Sequence, residues 1–256
     1  MNCVQCGALA SIQENSKKEP KAPGDPTSSA SALGRHLCAV CQAPLPISSE
    51  PMNHFDVLGM PIAFDWNQAV AERRFYELSR ALHPDRFSTA LPAIRAASLA
   101  RMGLVNESWV SLKSKEGRRD YLADFLLQKI LARTGKKRPA PLVPAELAEE
   151  WFELQEEMVM AKGGQVPEQV IAGRGRIEAF AAKLSQLTTD TENQLDGTGR
   201  ELDAILAVEG PDSIKLEPAT WRLVMGIQEF QYLKSLQRDL KRLGGDASGR
   251  TKLESR

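Results

Sequence analysis

The sequence has no cysteine beyond residue 41: all four of its cysteines lie among the first 41 of its 256 residues. It has no excess of either charge, since 33 Lys and Arg balance 33 Asp and Glu. A protein that coats nucleic acid or an anionic membrane needs a strong basic excess, so we expect neither as a partner. No apolar run reaches the ~18 to 20 residues of a membrane span, and the N-terminus lacks the pattern of a signal peptide. These absences favour a cytoplasmic bacterial protein.

Alternating strand patterns are also nearly absent, and helical periodicity takes their place. With 42% apolar residues, a packed core is feasible. We therefore predict an all-α fold behind a small metal-binding region. The predicted segments are a tetracysteine zinc-knuckle region with its linker at 1–50, a helical domain at 51–134, a C-terminal helical domain at 145–245 and a flexible tail at 246–256.

The first helical domain is predicted to contain three amphipathic helices. Asp65 is expected to cap the first of these helices, and Pro84 to end it near Ala81 or Leu82. Gly117 is expected to break the chain between the second and third helices. Apolar residues at helical spacing predict the core: Ala71, Phe75, Leu78 and Leu82, then Met102, Val105, Trp109 and Leu112, then Leu122, Phe125, Leu126 and Ile130.

A Pro-rich basic segment at 134–144 predicts a domain boundary, and three long helical patterns follow it. Each pattern carries apolar residues at helical spacing, which indicates one buried face per helix. The predicted core positions are Leu147, Trp151, Leu154 and Met158 in the first pattern and Val170, Ile177, Phe180, Leu184 and Leu187 in the second.

The cysteines form two Cys-x-x-Cys pairs, Cys3 with Cys6 and Cys38 with Cys41. Two residues between thiolates allow a tight turn to present both sulfurs to one tetrahedral ion, and two such turns complete a closed site. We therefore predict one structural zinc per chain. The spacing leaves open an iron–sulfur cluster and unliganded or redox-active thiols. His36, two residues before Cys38, is a further alternative ligand. The stretch at 17–31, rich in Pro, Ser, Ala and Lys, predicts a long flexible loop between the two pairs.

A His-Pro-Asp tripeptide, His83 to Asp85, directly follows the first helix of this domain. Ordinary connecting loops more often use Gly, Asn or Ser. Arg73 and Arg80 are predicted to share the face of that helix opposite its apolar stripe, with Arg74 beside them. One surface would thus present positive charge and then the tripeptide. His83 alone suggests a general base, but no nucleophile is evident beside it, so we predict that the protein is not an enzyme.

The segments "NHFDVLGMP", "RRFYELSRALHPDRF", "VNESWVSL" and "RRDYLADFLL" occur in this order along the chain. Together they resemble a J domain, and more narrowly the HscB co-chaperones of iron–sulfur cluster assembly. The resemblance is strong from Asn53 to about Gly135 and loose over 145–243. It implies a J domain at 51–134, a client-binding three-helix bundle at 145–245 and, as in some members, an N-terminal tetracysteine zinc domain.

In J domains the His-Pro-Asp loop and the basic face before it dock on a DnaK-type chaperone and stimulate its ATP hydrolysis. The resemblance therefore implies a DnaK- or HscA-type ATPase as the partner. Carried over to this sequence, the implied docking residues are His83, Pro84, Asp85, Arg73, Arg74 and Arg80.

The helix after the boundary carries a large aromatic residue, Phe152, among acids on a second face. Such a residue is either covered by a neighbouring helix or part of a partner surface. In HscB-like proteins this helix and the last one bind the IscU-like iron–sulfur scaffold. The family has apolar residues where Ala148 and Glu149 stand, so a J-domain protein for a different client stays open, as does a zinc-binding regulatory protein. The implied client-binding residues are Phe152, Glu153, Glu156 and Tyr232.

Overall fold

The structure is a computed structural model that describes residues 3–8, 29–48, 52–140, 144–161 and 167–248. Its only β pairing within these ranges is an isolated bridge between Leu37 and Pro44. The predicted all-α fold is therefore confirmed. A search of the same residues finds no helix with the length and hydropathy of a membrane span. The helices are α1 (Ser29–His36), α2 (His54–Leu58), α3 (Gln68–Leu82), α4 (Pro92–Leu112), α5 (Lys115–Thr134), α6 (Ala145–Ala161), α7 (Pro167–Glu209) and α8 (Leu216–Ser248), with a 3-10 turn at Pro84–Phe87.

The chain forms two compact units. The first comprises Met1–Lys129 together with Arg200–Leu216, and the second comprises Ile130–Gly199 together with Glu217–Arg256. The helix α7 therefore contributes most of its length to the second unit and its last turns to the first. The segment boundaries proposed from the sequence, 51–134 and 145–245, stay predictions.

The ends of α3 follow from its capping residues. Its N-cap is Asn67, whose side-chain oxygen accepts the Val70 N–H, and not Asp65 as predicted. Asp65 instead accepts the N–H of its neighbour Trp66 at 3.0 Å, so it bonds outside the helix. At the other end the helix stops at Leu82, as predicted, because the following residues leave helical geometry before Pro84.

The break between α4 and α5 lies before Gly117 and not at it. The helix α4 ends at Leu112, and α5 begins at Lys115, which places Gly117 in the first turn of α5. Its N–H donates to the Ser114 hydroxyl at 3.0 Å, a local cap. A Cβ at this position would lie 2.5 Å from the carbonyl oxygen of Ser111, so the close approach requires glycine.

The apolar stripes predicted for the first unit form its interior. Phe75 and Trp109 are half-buried and stack on each other with ring centroids 4.9 Å apart. Met102 and Phe125 are half-buried as well. The remaining predicted positions are also buried: Ala71, Leu78, Leu82, Val105, Leu112, Leu122 and Leu126 in this unit, and Ile130, which begins the second unit.

The second unit is built on a core shared by α6, α7 and α8, as the predicted three-helix bundle requires. Trp151 of α6 stacks on Phe180 of α7 with ring centroids 5.9 Å apart. Two predicted core positions, Met158 and Val170, lie outside the residues whose side chains are described. The buried core consists of Leu147, Trp151, Leu154, Phe180, Leu184, Leu233, Leu236 and Leu240, with Ile177, Leu187 and Tyr232 packed against it.

Candidate functional site

The His-Pro-Asp tripeptide forms the start of the 3-10 turn that follows α3. The Nδ1 atom of His83 accepts the Asp85 N–H at 3.3 Å and so caps the turn. The side chain of Asp85 is 90% exposed, while that of His83 is 54% exposed. Oδ2 of Asp85 lies 3.5 Å from Nδ1 of His83. The carboxylate is otherwise directed to solvent by its exposure, so it is able to accept hydrogen bonds from a partner.

The last turns of α3 continue this surface. A shallow cleft is lined by Tyr76, Ser79, Arg80, His83 and Arg86. Arg86 Nη1 donates to the carbonyl oxygen of Arg80 at 3.3 Å, which ties the turn to the end of the helix. Tyr76 is 63% exposed, an unusual environment for a large aromatic side chain.

Tyr76 and Arg86 were missed as candidate docking residues. The signal for Tyr76 is the helical spacing of Tyr76, Arg80 and His83 at i, i+4 and i+7, which places an aromatic residue in line with the basic face and the tripeptide. The signal for Arg86 is its position directly after Asp85.

One of the three arginines predicted to form the basic face is buried. Arg73 and Arg80 are exposed, but only 6% of the surface of Arg74 is accessible. Adjacent helical residues point about 100° apart, and Arg74 follows Ala71 by three residues, which puts it on the buried stripe. The structure therefore brings Arg80 to the surface beside the tripeptide, exposes Arg73 two turns earlier on α3 and buries Arg74.

The four cysteines come together at one point. The Sγ atoms of Cys3 and Cys41 lie 3.5 Å apart, and those of Cys6 and Cys38 lie 3.7 Å apart. All four ligand atoms lie within 4.8 Å of one another, and none is in a disulfide. A tetrahedral zinc site with Zn–S bonds of ~2.3 Å has sulfur–sulfur edges of about 3.8 Å. The observed separations fit such a site.

The two Cys-x-x-Cys turns share one backbone conformation. In the first, the Cys3 N–H donates to Ala8 O at 2.8 Å, and the Gly7 N–H donates to Cys3 O at 2.9 Å. The corresponding bonds of the second turn, which begins at Cys38, are 2.8 and 2.9 Å. Gly7 and Gln42 both take positive φ, 70° and 58°. This repetition, visible in the sequence as Cys-x-x-Cys-x-Ala twice, is the pattern of paired metal knuckles.

The thiols of the second turn have opposite tendencies to ionise. The backbone N–H groups of Cys41 and then Val40 lower the pKa of Cys38 to about 6. The Ala43 N–H lowers the pKa of Cys41, but burial and the neighbouring thiols outweigh it and raise that pKa to about 12. Cys38 and Cys41 therefore do not ionise together near neutral pH, and a divalent ion held by the four cysteines would supply the positive charge that favours both thiolates.

The second knuckle is fixed to α4 by a buried arginine. Arg101 donates from Nε to Leu45 O at 2.9 Å and from Nη2 to Pro46 O at 2.7 Å. Its Nη1 lies 3.4 Å from Nδ1 of His36, whose Nε2 lies 2.8 Å from Val57 O. Burial lowers the pKa of His36 to about 4, so its ring is neutral at pH 7. Both ring nitrogens bond away from the sulfurs, which excludes His36 as an alternative metal ligand.

The client-binding candidates lie in the second unit. Phe152 is 63% exposed, and Glu153 and Glu156 beside it are exposed as well. Arg176 of α7 pairs with Glu153 at 3.3 Å and also with Glu157. Tyr232 is half-buried against the bundle core, and burial raises the pKa of its phenol. Phe152 is thus not covered by the neighbouring helices, whereas Tyr232 is covered in part.

Comparison with known proteins adds an independent finding. No family model matches the chain. A co-chaperone protein HscB homologue of Vibrio atlanticus (strain LGP32) is 27% identical over 164 residues, which cover 64% of this chain and 88% of the relative. Another, from Vibrio vulnificus (strain YJ016), is 30% identical over 136 residues, covering 53% and 73%.

Two solved structures show weaker likeness. Chaperone HscB from Vibrio cholerae has a TM-score of 0.45 and 21% identity, over 77% of this chain and 99% of that chain. Human co-chaperone protein HscB has a TM-score of 0.46 and 17% identity, over 94% and 97%. Sequence identity of 30% across almost three quarters of the Vibrio vulnificus relative decides the assignment. This chain belongs to the family of HscB co-chaperone homologues.

Proposed function

We propose that this chain is a co-chaperone whose His-Pro-Asp turn stimulates the ATPase of a DnaK- or HscA-type chaperone and whose C-terminal bundle delivers an IscU-like iron–sulfur scaffold. The observation that carries the proposal is the turn itself. It holds Asp85 90% exposed beside the cleft formed by the end of α3. Residues 51–134 would be the J domain and 145–245 the client-binding domain.

Charge at the turn supports docking on an acidic surface of the chaperone. Arg80 and Arg86 are exposed cations that line the cleft, and Arg73 is an exposed cation two turns before Arg80 on α3. Such cations raise the rate of encounter with an acidic partner. Asp85 then accepts charge-assisted hydrogen bonds from the partner. Tyr76 supplies an exposed aromatic anchor between the cations, the type of residue enriched in interface hot spots.

The exposed face of α6 supports client binding. An exposed phenylalanine flanked by carboxylates has the composition of an interface anchor and its polar rim. Phe152, Glu153 and Glu156 provide this composition, and Tyr232 is the candidate contact from α8. Glu149 is exposed where HscB-like proteins have an apolar residue, so the proposed client-binding surface of this chain is more acidic than theirs.

Three further features complete the proposal. Cys3, Cys6, Cys38 and Cys41 hold one structural zinc, which contributes folding free energy and no reaction. The protein catalyses nothing itself and acts by favouring one conformation of its partner. Metal-binding cysteines in place of disulfides are typical of a reducing compartment, so we place this activity in the bacterial cytoplasm.

The test is the steady-state ATPase rate of a purified DnaK- or HscA-type chaperone with increasing amounts of this chain. Wild type should raise the rate and Asp85→Asn should not, because the substitution keeps the shape of the side chain and removes its charge. Asp190→Asn, at an exposed position on α7, is the matched control and should stimulate like wild type. Equal stimulation by Asp85→Asn and wild type would exclude the docking role of the turn.

A further inference from the structure

One apolar cluster joins the cysteine centre to the docking turn. Phe87, the last residue of the 3-10 turn that begins at Pro84, packs against an apolar cluster that includes Cys3 and Cys38. Ala90, three residues later, packs against the same cluster. Only Arg86 separates Phe87 from Asp85 in the sequence, so a cluster that contains two metal-binding residues supports the segment that presents the proposed docking carboxylate.

The turn is short and continuously bonded, which allows a displacement at one end to reach the other. The Arg86 N–H donates to His83 O at 3.0 Å, the Ser88 N–H to Asp85 O at 3.3 Å and the Ala90 N–H to Phe87 O at 3.0 Å. At its start, the preceding Leu82 carbonyl accepts the Ser98 hydroxyl of α4 at 2.7 Å. The turn therefore has one support on α4 before the tripeptide and a second support, through Phe87, on the cluster that the knuckles share with Ile94.

The second support depends on the ion. The buried members of the cluster are Cys3, Cys38, Ala43, Leu45 and Ile94, so two of the five are metal-binding residues and only Ile94 belongs to α4. Arg101 holds the second knuckle on α4, but the first knuckle, which supplies Cys3 to the cluster, buries too little apolar surface to be ordered by itself. Metal-binding thiolates of this kind are organised when the ion is bound. The surface on which Phe87 rests is therefore complete only in the loaded protein.

We propose that Phe87 is a positioning residue through which metal occupancy of the four-cysteine centre strengthens docking of the His-Pro-Asp turn on the chaperone. The proposal rests on the chaperone-binding function proposed above. Coupling between two sites is reciprocal, so chaperone binding strengthens metal binding by the same factor.

The first measurement is hydrogen exchange of the full chain, zinc-loaded and stripped with a chelator. Amides 84–90 should exchange faster in the stripped chain, while those of the α6–α8 core stay unchanged. The second is the affinity of both forms for a purified DnaK- or HscA-type chaperone. Stripping should weaken binding by at least about fivefold, the lower end of typical coupling between two sites.

Variants separate positioning from general destabilisation. Loaded Phe87→Ala should keep its zinc and its cooperative melt but bind the chaperone as weakly as stripped wild type, and stripping it should weaken binding no further. Phe87→Leu should restore the dependence on zinc. Leu91→Ala, which truncates a 59% exposed residue just past the turn, is the matched control, and its chaperone binding should keep the full dependence on zinc. If stripping unfolds the first unit, the loaded Phe87→Ala comparison alone decides the question.

Two results would overturn the proposal: exchange at 84–90 that does not respond to stripping, or a Phe87→Ala variant that keeps full affinity or the full zinc dependence. A failure of the proposed function looks different. In that case loaded wild type does not bind the chaperone, although exchange at 84–90 still responds to zinc.

Discussion

Two aromatic residues adjacent in sequence, Trp151 and Phe152, lie in opposite environments on α6. Trp151 is 7% exposed in the bundle core, whereas Phe152 is 63% exposed. Truncating each to alanine therefore separates folding from client binding in a matched pair of variants.

The expected magnitudes follow from burial. Full burial of a phenylalanine contributes ~1.5–3 kcal/mol. About a third of Phe152 is buried, so Phe152→Ala should lower the free energy of unfolding by only ~0.5–1 kcal/mol. Trp151→Ala leaves a cavity beside Phe180 and should cost ~3–5 kcal/mol. As an interface anchor, Phe152 should contribute ~1–4 kcal/mol to client binding, which corresponds to an affinity loss of about 5- to 700-fold.

Thermal melts of both variants, beside titrations against a purified IscU-like scaffold, measure the two effects. Phe152→Ala should melt near wild type and bind the scaffold weakly. Trp151→Ala should melt at a much lower temperature, and its folded fraction should bind the scaffold normally. A Phe152→Ala variant with unchanged scaffold affinity would refute the assignment of this face. A large loss of stability in Phe152→Ala would instead show that Phe152 belongs to the core of the bundle.

The remaining predictions concern the N-terminal region. Elemental analysis should find one zinc per chain, lost in Cys3→Ser and Cys38→Ser with α6–α8 still folded; iron with visible absorbance in place of zinc would contradict this. Arg101→Met should detach the second knuckle from α4, because two charge-assisted hydrogen bonds at ~1.5–3 kcal/mol each are lost. Relief of the buried charge offsets part of that loss, which leaves about 2–4 kcal/mol. Hydrogen exchange at 36–48 measures the effect, Arg95→Met on the exposed side of α4 is the control, and protection equal to wild type would count against the Arg101 contact.

The helices and their buried faces were predictable because a 3.6-residue period places successive apolar residues on one side. Leu147, Trp151 and Leu154 show this, since their spacing alone identified a core that the structure buries. The residues that cap the ends of the helices were less predictable. Asp65 and Asn67 are both good capping residues, and only the packed geometry decides that Asn67 caps α3.

The residues of the candidate site were predicted less completely than the helices. A basic face counted from the sequence included Arg74, although its spacing of three residues from Ala71 and four from Leu78 places it on the buried stripe. The pairing of the cysteines was predictable from two identical spacings, but the packing of Phe87 against their cluster joins segments that are distant in the sequence, since Cys38 precedes Phe87 by 49 residues and Cys3 by 84. The helix α1 was also missed, since its first residues fall in a Ser- and Ala-rich stretch that was predicted to be flexible.

The central claim is that one chain acts on the chaperone and on the scaffold through different surfaces. The most direct measurement is the chaperone's ATPase rate with this chain, with the scaffold and with both together, for wild type, Asp85→Asn and Phe152→Ala. The account predicts that the two proteins together stimulate more than the sum of their separate effects. It also predicts that Asp85→Asn abolishes the contribution of this chain and that Phe152→Ala removes only the excess seen with both. Purely additive rates, or a Phe152→Ala variant that retains the full excess, would contradict it.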